Sequence, residues 1–272
     1  MKAWTLDDID WRRFDPAKVD PELLRIVKAA AMVEHNGNDY ATYLCNVFND
    51  DSEFQHTAKH WAREEVQHGE ALAKWAELAD PTWNFKEAFK RFTDGYKLPL
   101  SATESVRGSR TGELIARCIV ETGTSSYYTA LAEAAGEPVL KQICRYIAAD
   151  ELRHYKLFYT AMKRYQESEN LGRWGRLRTG LGRILESEDD ELAYAYYAAN
   201  DSGGKPYDRR ANSRAYARRA YSVYRPWHVE RGIAMVLKAV GLKANGRLHR
   251  VLWSLASRLM QARAASLARA GA

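Results

Sequence analysis

Apolar side chains recur every three or four positions along most of the first 170 residues of the chain. This is the period of an amphipathic helix, and no segment keeps the period-two alternation that marks a half-buried strand. Prolines, capping acids and glycines then indicate where each helix begins and ends. The pattern predicts four long helices and one short helical piece. The long helices are predicted at 21–49, 52–79, 111–135 and 138–167, and the short one at 85–92.

The predicted helices suggest a particular architecture. Long helices of similar length, joined in two hairpins by one long crossover at 80–106, are typical of a ferritin-like four-helix bundle. We therefore predict an all-α protein with little sheet, in which residues 1–170 form the bundle. Residues 171–272 are predicted to add further helices that pack on the bundle within the same domain.

Two of the long helices repeat one short motif, 86 residues apart. Glu-x-x-His occurs at Glu65–His68 and at Glu151–His154, and each copy follows a lone glutamate on the preceding helix. Positions three apart share a helix face, so the Glu and His of one copy can hold one ion together. This is the ligand set of carboxylate-bridged di-iron and di-manganese bundles. The six predicted metal ligands are Glu34, Glu65, His68, Glu121, Glu151 and His154.

Metal binding also explains how such a set can be buried. Four carboxylates in a protein interior are tolerated only when they are paired or bound to metal, and two divalent ions would neutralise them. Carboxylate and imidazole ligands suit iron that reacts with oxygen, but their spacing does not separate an iron pair from a mixed manganese and iron pair. Each motif directly follows an acid, Glu64 or Asp150. We expect these acids to hold a histidine ring of the opposite half in its ligating orientation.

A third Glu-x-x-His, Glu53–His56, has no counterpart 86 residues away. It lies three turns, roughly 18 Å, before the first metal motif on the same helix, which is too far to share its metal. We interpret Glu53 and His56 as surface residues. His60, one turn before Glu64, is also left out of the predicted site.

Composition describes a compact protein with an uneven charge. The 272 residues are 46% apolar, and the three cysteines are most simply reduced core residues. No signal peptide and no membrane-spanning stretch is recognised, so a cytoplasmic protein is expected. From Lys205 onward there are 15 Lys and Arg against two acids, giving +13. Because the whole chain carries +6, the preceding residues carry −7, and the basic end favours an acidic partner or an anionic surface.

The last predicted helix, from Arg247 to the end, is amphipathic. One face carries five aliphatic residues, and arginines occupy the positions around it. Such a stripe most often packs on the rest of the protein, which is the expectation here. Contact with a membrane surface or a docking partner is the alternative. The stripe consists of Leu248, Val251, Leu252, Leu255 and Leu259.

The motif regions resemble one known family. Trp61-x-x-Glu64-Glu65-x-x-His68-Gly69 is similar to the first helical hairpin of the acyl-(acyl carrier protein) desaturases, which are soluble di-iron enzymes. The segment 142–154, which ends in Asp-Glu-Leu-Arg-His, is similar to the fourth-helix signature of that family. The resemblance covers about half of the chain, residues 27–163.

The resemblance implies roles for individual residues. The six residues named above would be the iron ligands, and Asp150 would orient His68. Trp61 would lie on an electron route to the irons, and Thr124, one turn after Glu121, would deliver protons. It further implies an acyl carrier protein as carrier of the substrate, a ferredoxin-type electron donor and a homodimer. No nucleic-acid-binding motif is recognised, although basic pairs occur near the end of the chain.

The function predicted from these observations is an oxygen-dependent di-iron oxidoreductase, with two iron ions, or manganese and iron, and O2 as co-substrate. Its reaction would be desaturation of a fatty acyl chain. Other di-iron oxidations, such as hydroxylation, aldehyde chemistry or N-oxygenation, use the same ligands and remain open. An iron-handling or purely binding bundle is the non-enzymatic alternative. An apolar tunnel that reaches the metals would favour an enzyme.

Overall fold

The computed structural model describes residues 4–186, 190–201, 204 and 206–270, and the described part consists of helices and connections without a strand. Three short 3₁₀ turns precede the first α-helix. The α-helices are α1 (Pro21–His35), α2 (Gly37–Val47), α3 (Ser52–Ala79), α4 (Phe85–Gly95), α5 (Arg110–Ala134), α6 (Pro138–Glu169), α7 (Arg173–Leu185), α8 (Asp190–Asn200), α9 (Arg209–Ser222), α10 (Pro226–Ala239) and α11 (Arg247–Ala270).

The four long predicted helices form the bundle. α1 packs against α3, α5 packs against α6, and α3 and α6 bring the two hairpins together. Capping explains two of the starts: Asp20 accepts a hydrogen bond from the amide of Glu22, and Asp51 accepts one from the amide of Phe54. The prediction of an all-α, ferritin-like bundle with additional helices after it is confirmed.

The prediction of one continuous helix over 21–49 is wrong. A turn at Asn36 separates α1 from α2. A Cβ atom at Gly37 would lie 2.7 Å from the Cβ of Glu65, so the start of α2 comes too close to α3 for any residue larger than glycine. Hydrophobic periodicity does not report such a close approach between helices. The break therefore falls just after Glu34, at the level of the predicted metal site.

Two apolar clusters fill the bundle. One includes Trp75 and Leu131, and the other includes Phe54 and Phe158. On α3, α5 and α6 the predicted metal ligands occupy the positions between the two clusters. The metal site is thus a polar layer with a dry apolar layer on each side. The free cysteines at 118 and 144 are buried in these clusters.

The C-terminal third covers part of the bundle. α7 and α10 pack on α5, α8 packs on α1 and α4, and α9 packs on α8. α11 packs mainly on α9 and α10, which are helices of the extension. None of the helices in the described ranges is long and apolar enough to cross a membrane.

The expectation that the apolar stripe of α11 packs on the protein is wrong. Its five members, from Leu248 to Leu259, are each at least 36% exposed. The helix instead turns a different face inward, on which His249 is buried and Trp253 is half-buried. Amphipathic periodicity reveals that a helix has two faces, but not which of them a neighbouring helix covers.

Candidate metal centre

Four helices contribute the six predicted ligands. Glu34 lies at the end of α1, Glu121 lies in the middle of α5, and α3 and α6 each provide a Glu-x-x-His pair. None of the six residues is more than 8% exposed. Buried carboxylates and imidazoles at this density require compensation by protons or by metal ions.

The six side chains form two overlapping groups. Glu34 and His68 lie with Glu65 and Glu151, and Glu121 and His154 lie with the same two glutamates. In each group the candidate ligand atoms are all within 4.8 Å of one another. The arrangement therefore offers two neighbouring metal positions. Glu65 and Glu151 belong to both groups, so either carboxylate would be within reach of both ions.

The hydrogen bonds of these residues leave room for metal. Each of the six side chains has one buried oxygen or nitrogen without a hydrogen-bond partner. Buried polar atoms without a hydrogen bond are uncommon in folded proteins, and six that lie together in two overlapping groups indicate a site for metal ions. Their chemistry, carboxylate oxygen and imidazole nitrogen, fits two iron ions. The atoms without a hydrogen bond face one another, some within ion-pair distance, such as His154 Nδ1 and Glu65 Oε1 at 2.9 Å. They are Glu34 Oε2, Glu65 Oε1, His68 Nδ1, Glu121 Oε1, Glu151 Oε1 and His154 Nδ1.

Two acids hold the histidine rings from outside. The Nε2 atom of His68 lies 3.0 Å from Asp150, and the Nε2 atom of His154 lies 2.9 Å from Glu64. Each contact joins one helical hairpin to the other, as the sequence suggested. When Nε2 carries the proton and donates it to the acid, Nδ1 faces the metal site as a free acceptor. Arg153, which was not predicted, donates to both acids at 2.5 and 3.1 Å, so that the two carboxylates share one positive charge.

Electrostatics show how the site behaves without metal. Burial alone would lower the pKa of His68, but its contacts with Asp150, Glu151 and Glu34 raise it well above its ordinary value. Burial and repulsion from Glu151 raise the pKa of Glu121 to about 8. The metal-free site therefore retains protons at neutral pH, and metal ions would take their place.

An N-terminal tryptophan, Trp4, was missed by the sequence analysis. Its indole N–H donates to Asp150 at 2.7 Å, and its ring lies parallel to that of His68 with centroids 5.9 Å apart. Trp4 thus positions Asp150, which in turn orients the ring of His68. It lies before the first periodic segment, so no pattern in the sequence marked it. Trp61, predicted on an electron route, packs edge-on against His154 with centroids 6.4 Å apart, and its N–H has no partner.

The side of the site formed by α5 contains two hydroxyl groups. The hydroxyl of Thr124 donates to Glu151 at 2.5 Å, so the predicted residue lies beside a ligand. Tyr128, not singled out from the sequence, donates to Glu34 at 2.6 Å. It follows Thr124 by four residues and Glu121 by seven, which places all three on one helix face. From this spacing, Tyr128 could have been predicted as a residue of the site.

The residues excluded from the predicted site lie outside it. Glu53 is exposed and forms an ion pair with Arg164 at 3.5 Å, and His56 is also exposed. His60 is more than half exposed and approaches Glu64 to only 3.8 Å. The accidental Glu-x-x-His motif therefore has no part in the cluster.

Comparison with known proteins supports this description at a coarse level. The family model named Rubrerythrin matches residues 114–197, which include Glu121, Glu151 and His154. The match covers less than a third of the chain and does not support membership of the acyl-(acyl carrier protein) desaturases in particular. No curated protein matches the sequence. The helical bundle, the buried cluster and the family match together support a ferritin-like protein with a di-iron type of site.

Proposed function

We propose that the chain is an oxygen-dependent oxidoreductase with a di-iron centre. The observation that carries the proposal is the convergence of six unpaired, buried ligand atoms from both helical hairpins. When bound there, two irons with open coordination positions would supply the redox chemistry that reduces O2 and oxidises a substrate, which no side chain performs alone.

In this proposal the protein positions the metal-binding side chains and excludes water from the site. Asp150 and Glu64 fix the two histidine rings, and Arg153 fixes the two acids, so the ligand atoms are held in place before metal arrives. The apolar clusters on either side of the ligand layer keep bulk water away. Exclusion of water strengthens the electrostatic interactions inside the site and limits side reactions.

Thr124 is the proposed route for protons. Its hydroxyl is half-buried, and it follows the exposed residue Gly123. It donates to Oε2 of Glu151, while the unpaired oxygen of that glutamate is Oε1. A proton that reaches Thr124 Oγ1 from the surface can therefore pass to Glu151 without an opening in the apolar layers. The hydroxyl also contacts the carbonyl oxygens of Val120 and Glu121 at 3.3 Å, which keeps it on the helix.

The substrate that we favour is a fatty acyl chain, and the reaction is desaturation. This finer proposal is supported by the desaturase-like motifs around both Glu-x-x-His pairs and by Thr124 beside Glu151. An acyl carrier protein and a ferredoxin-type donor, both acidic, would suit the basic C-terminal third. Arg218 is ion-paired with Glu22 at 3.2 Å, so the exposed Arg214 is the better residue for testing carrier docking.

The cavities do not select a substrate. Two surface cavities of about 540 and 550 Å³ occur in the part of the chain that the structure describes, and neither is lined by a predicted ligand. The apolar tunnel that would favour an enzyme is not among them. This keeps hydroxylation, aldehyde and N-oxygenation chemistry as alternatives on the same ligands.

The proposal is tested by loading the protein with ferrous iron under argon and then admitting oxygen. We expect an absorption band of a ferric pair that a reductant bleaches and oxygen restores, with O2 consumed in each cycle. Glu151→Ala should abolish both signals, because one carboxylate is lost from both metal positions. Glu53→Ala is the matched control, since it alters the accidental motif on α3.

The outcomes separate the alternatives. A band that returns over many cycles, with O2 uptake that rises when acyl substrates are added, supports the desaturase-like proposal. Uptake that rises only with other substrates moves the reaction to another di-iron oxidation. If the iron were oxidised only once and many irons then accumulated per assembly, the protein would be an iron-handling bundle and not an enzyme. If Glu151→Ala behaved as wild type, the centre itself would be wrongly placed.

A further inference from the structure

The apolar stripe of α11 holds more exposed large apolar side chains than any other helix of the described chain. Among the described residues thirteen such side chains are exposed, and ten of them lie on α7, α10 and α11. Five of the ten belong to the stripe, and Leu259 is 70% exposed. A contiguous apolar face of this kind on a protein surface indicates a binding site rather than a random distribution.

The stripe is exposed because the helix is anchored by another face. The indole N–H of Trp253 donates to the carbonyl of Pro226 at 3.2 Å, and His249 lies 3.2 Å from the carbonyl of Glu230. Met260 and Ala264 continue this half-buried face. A rotation that buried the leucines would break these contacts with α10. The exposed face is therefore a fixed feature of the helix.

The charges around the stripe all have one sign. α11 contains five arginines and no acid or lysine. At 100° per residue, the five aliphatic positions fall within an arc of about 100°. Arg247 and Arg258 flank one side of that arc, and Arg263, whose guanidinium lies over the ring of Tyr221, flanks the other. Arginines at the borders of an apolar face can lay their stems along it while the guanidinium groups reach outward. The helix thus has the form of one that lies in the plane of a membrane surface.

We propose that α11 binds the surface of an anionic phospholipid bilayer. The helix would lie flat, with the leucines in the acyl boundary and the arginines among phosphate groups. It would not span the bilayer, in keeping with the absence of any spanning helix from the described residues. This inference does not depend on the di-iron centre or on its reaction.

Charge decides against two other occupants. A second copy docked by the same face would bring the arginines of both copies together without an acid on either helix, which is repulsive. An acidic protein could form ion pairs with the arginines. A partner bound by charge alone would not require the five exposed aliphatic side chains that lie between those arginines. A lipid surface satisfies both features with one contact.

The experiment is sedimentation of the full chain with vesicles of phosphatidylcholine, with and without phosphatidylglycerol. We expect binding to the anionic vesicles, weakened by added salt, and little binding to the neutral ones. The double variant Leu255→Glu, Leu259→Glu should bind at least about tenfold more weakly, because it places charge in the acyl boundary. Arg247→Gln and Arg258→Gln should each weaken binding about fivefold.

Leu78→Glu is the matched control, since Leu78 is 42% exposed on α3 and lies away from the stripe. It should bind as wild type does, and helical content and melting temperature should show that every variant folds. Absence of binding to anionic vesicles, or equal binding by the Leu255, Leu259 variant, overturns the proposal. Light scattering that finds a dimer, dissociated by that same variant, would assign the stripe to a second copy instead and would also overturn it.

Discussion

At the scale of single residues, Asp150 joins three side chains beside the predicted centre. It accepts hydrogen bonds from Trp4 at 2.7 Å and from Arg153 at 2.5 Å, and it lies 3.0 Å from His68 Nε2. Those contacts lower the pKa of Asp150 to about 2 even though burial opposes the shift. The residue therefore remains a carboxylate at any pH at which iron binds, and it can orient the imidazole throughout.

Replacement of this acid should weaken metal binding without removing a ligand. In Asp150→Ala the ring of His68 loses its acceptor, and we expect a loss of about 10- to 100-fold in iron affinity. Competition with a chelator of known affinity measures the change. Asp94→Ala, at an exposed position on α4, should leave the affinity unchanged. An unchanged affinity in Asp150→Ala would mean that the ring is held by packing alone.

Protons and metal compete for the same atoms. The pKa of His154 would be lowered by burial, but Glu121, Glu64 and Glu65 raise it well above its ordinary value. A raised pKa means that the metal-free ring holds a proton at neutral pH, and metal binding must expel it. Iron affinity should consequently fall as the pH is lowered, with protons released on loading. Calorimetry in buffers of different ionisation enthalpy counts them, and a count of zero would contradict the assignment.

At the scale of helices, α1 and α3 touch so closely that glycine is required. A Cβ atom at Gly69 would lie 2.6 Å from both the backbone nitrogen and the Cβ atom of His35. His35 follows a predicted ligand on α1, and Gly69 follows another on α3. This close contact sets the separation of the two helices at the level of the metals.

Gly69→Ala should therefore lower stability by about 1–3 kcal/mol, because the clash involves backbone and must push α1 away. The control is Gly123→Ala on α5, where a Cβ atom meets nothing within 4 Å. That change should be neutral or stabilise the protein by up to about 1 kcal/mol, as alanine favours a helix. Thermal unfolding followed by circular dichroism compares the two. Equal melting temperatures would show that the helices separate without cost.

The sequence predicted what depends on spacing and missed what depends on contact between distant segments. The bundle and the convergence of the six ligands followed from periodicity and from the repeated Glu-x-x-His. The break at Asn36, the place of Trp4 and the orientation of α11 did not follow. The first is decided by how closely two helices pack, the second by a hydrogen bond between Trp4 and Asp150, and the third by which face a neighbour covers. None of these is encoded in a local pattern.

At the scale of the whole molecule, the metal centre is where the two hairpins meet. Four buried glutamates from both hairpins face one another there, and divalent ions would relieve their repulsion. Removal of iron by a chelator should lower the melting temperature, and reloading should restore it, because metal binds the folded state alone. In Glu53→Ala the same fall should occur. If the chelator did not change the melting temperature, the metal would have to bind outside the bundle.

The central claim is that six side chains hold two irons, and anomalous diffraction at the iron edge from crystals of the loaded protein tests it most directly. The account predicts two peaks about 3.5–4 Å apart. One should lie between Glu34 and His68, the other between Glu121 and His154, with Glu65 reaching both. A single peak, or peaks beside Glu53 and His56, would contradict it.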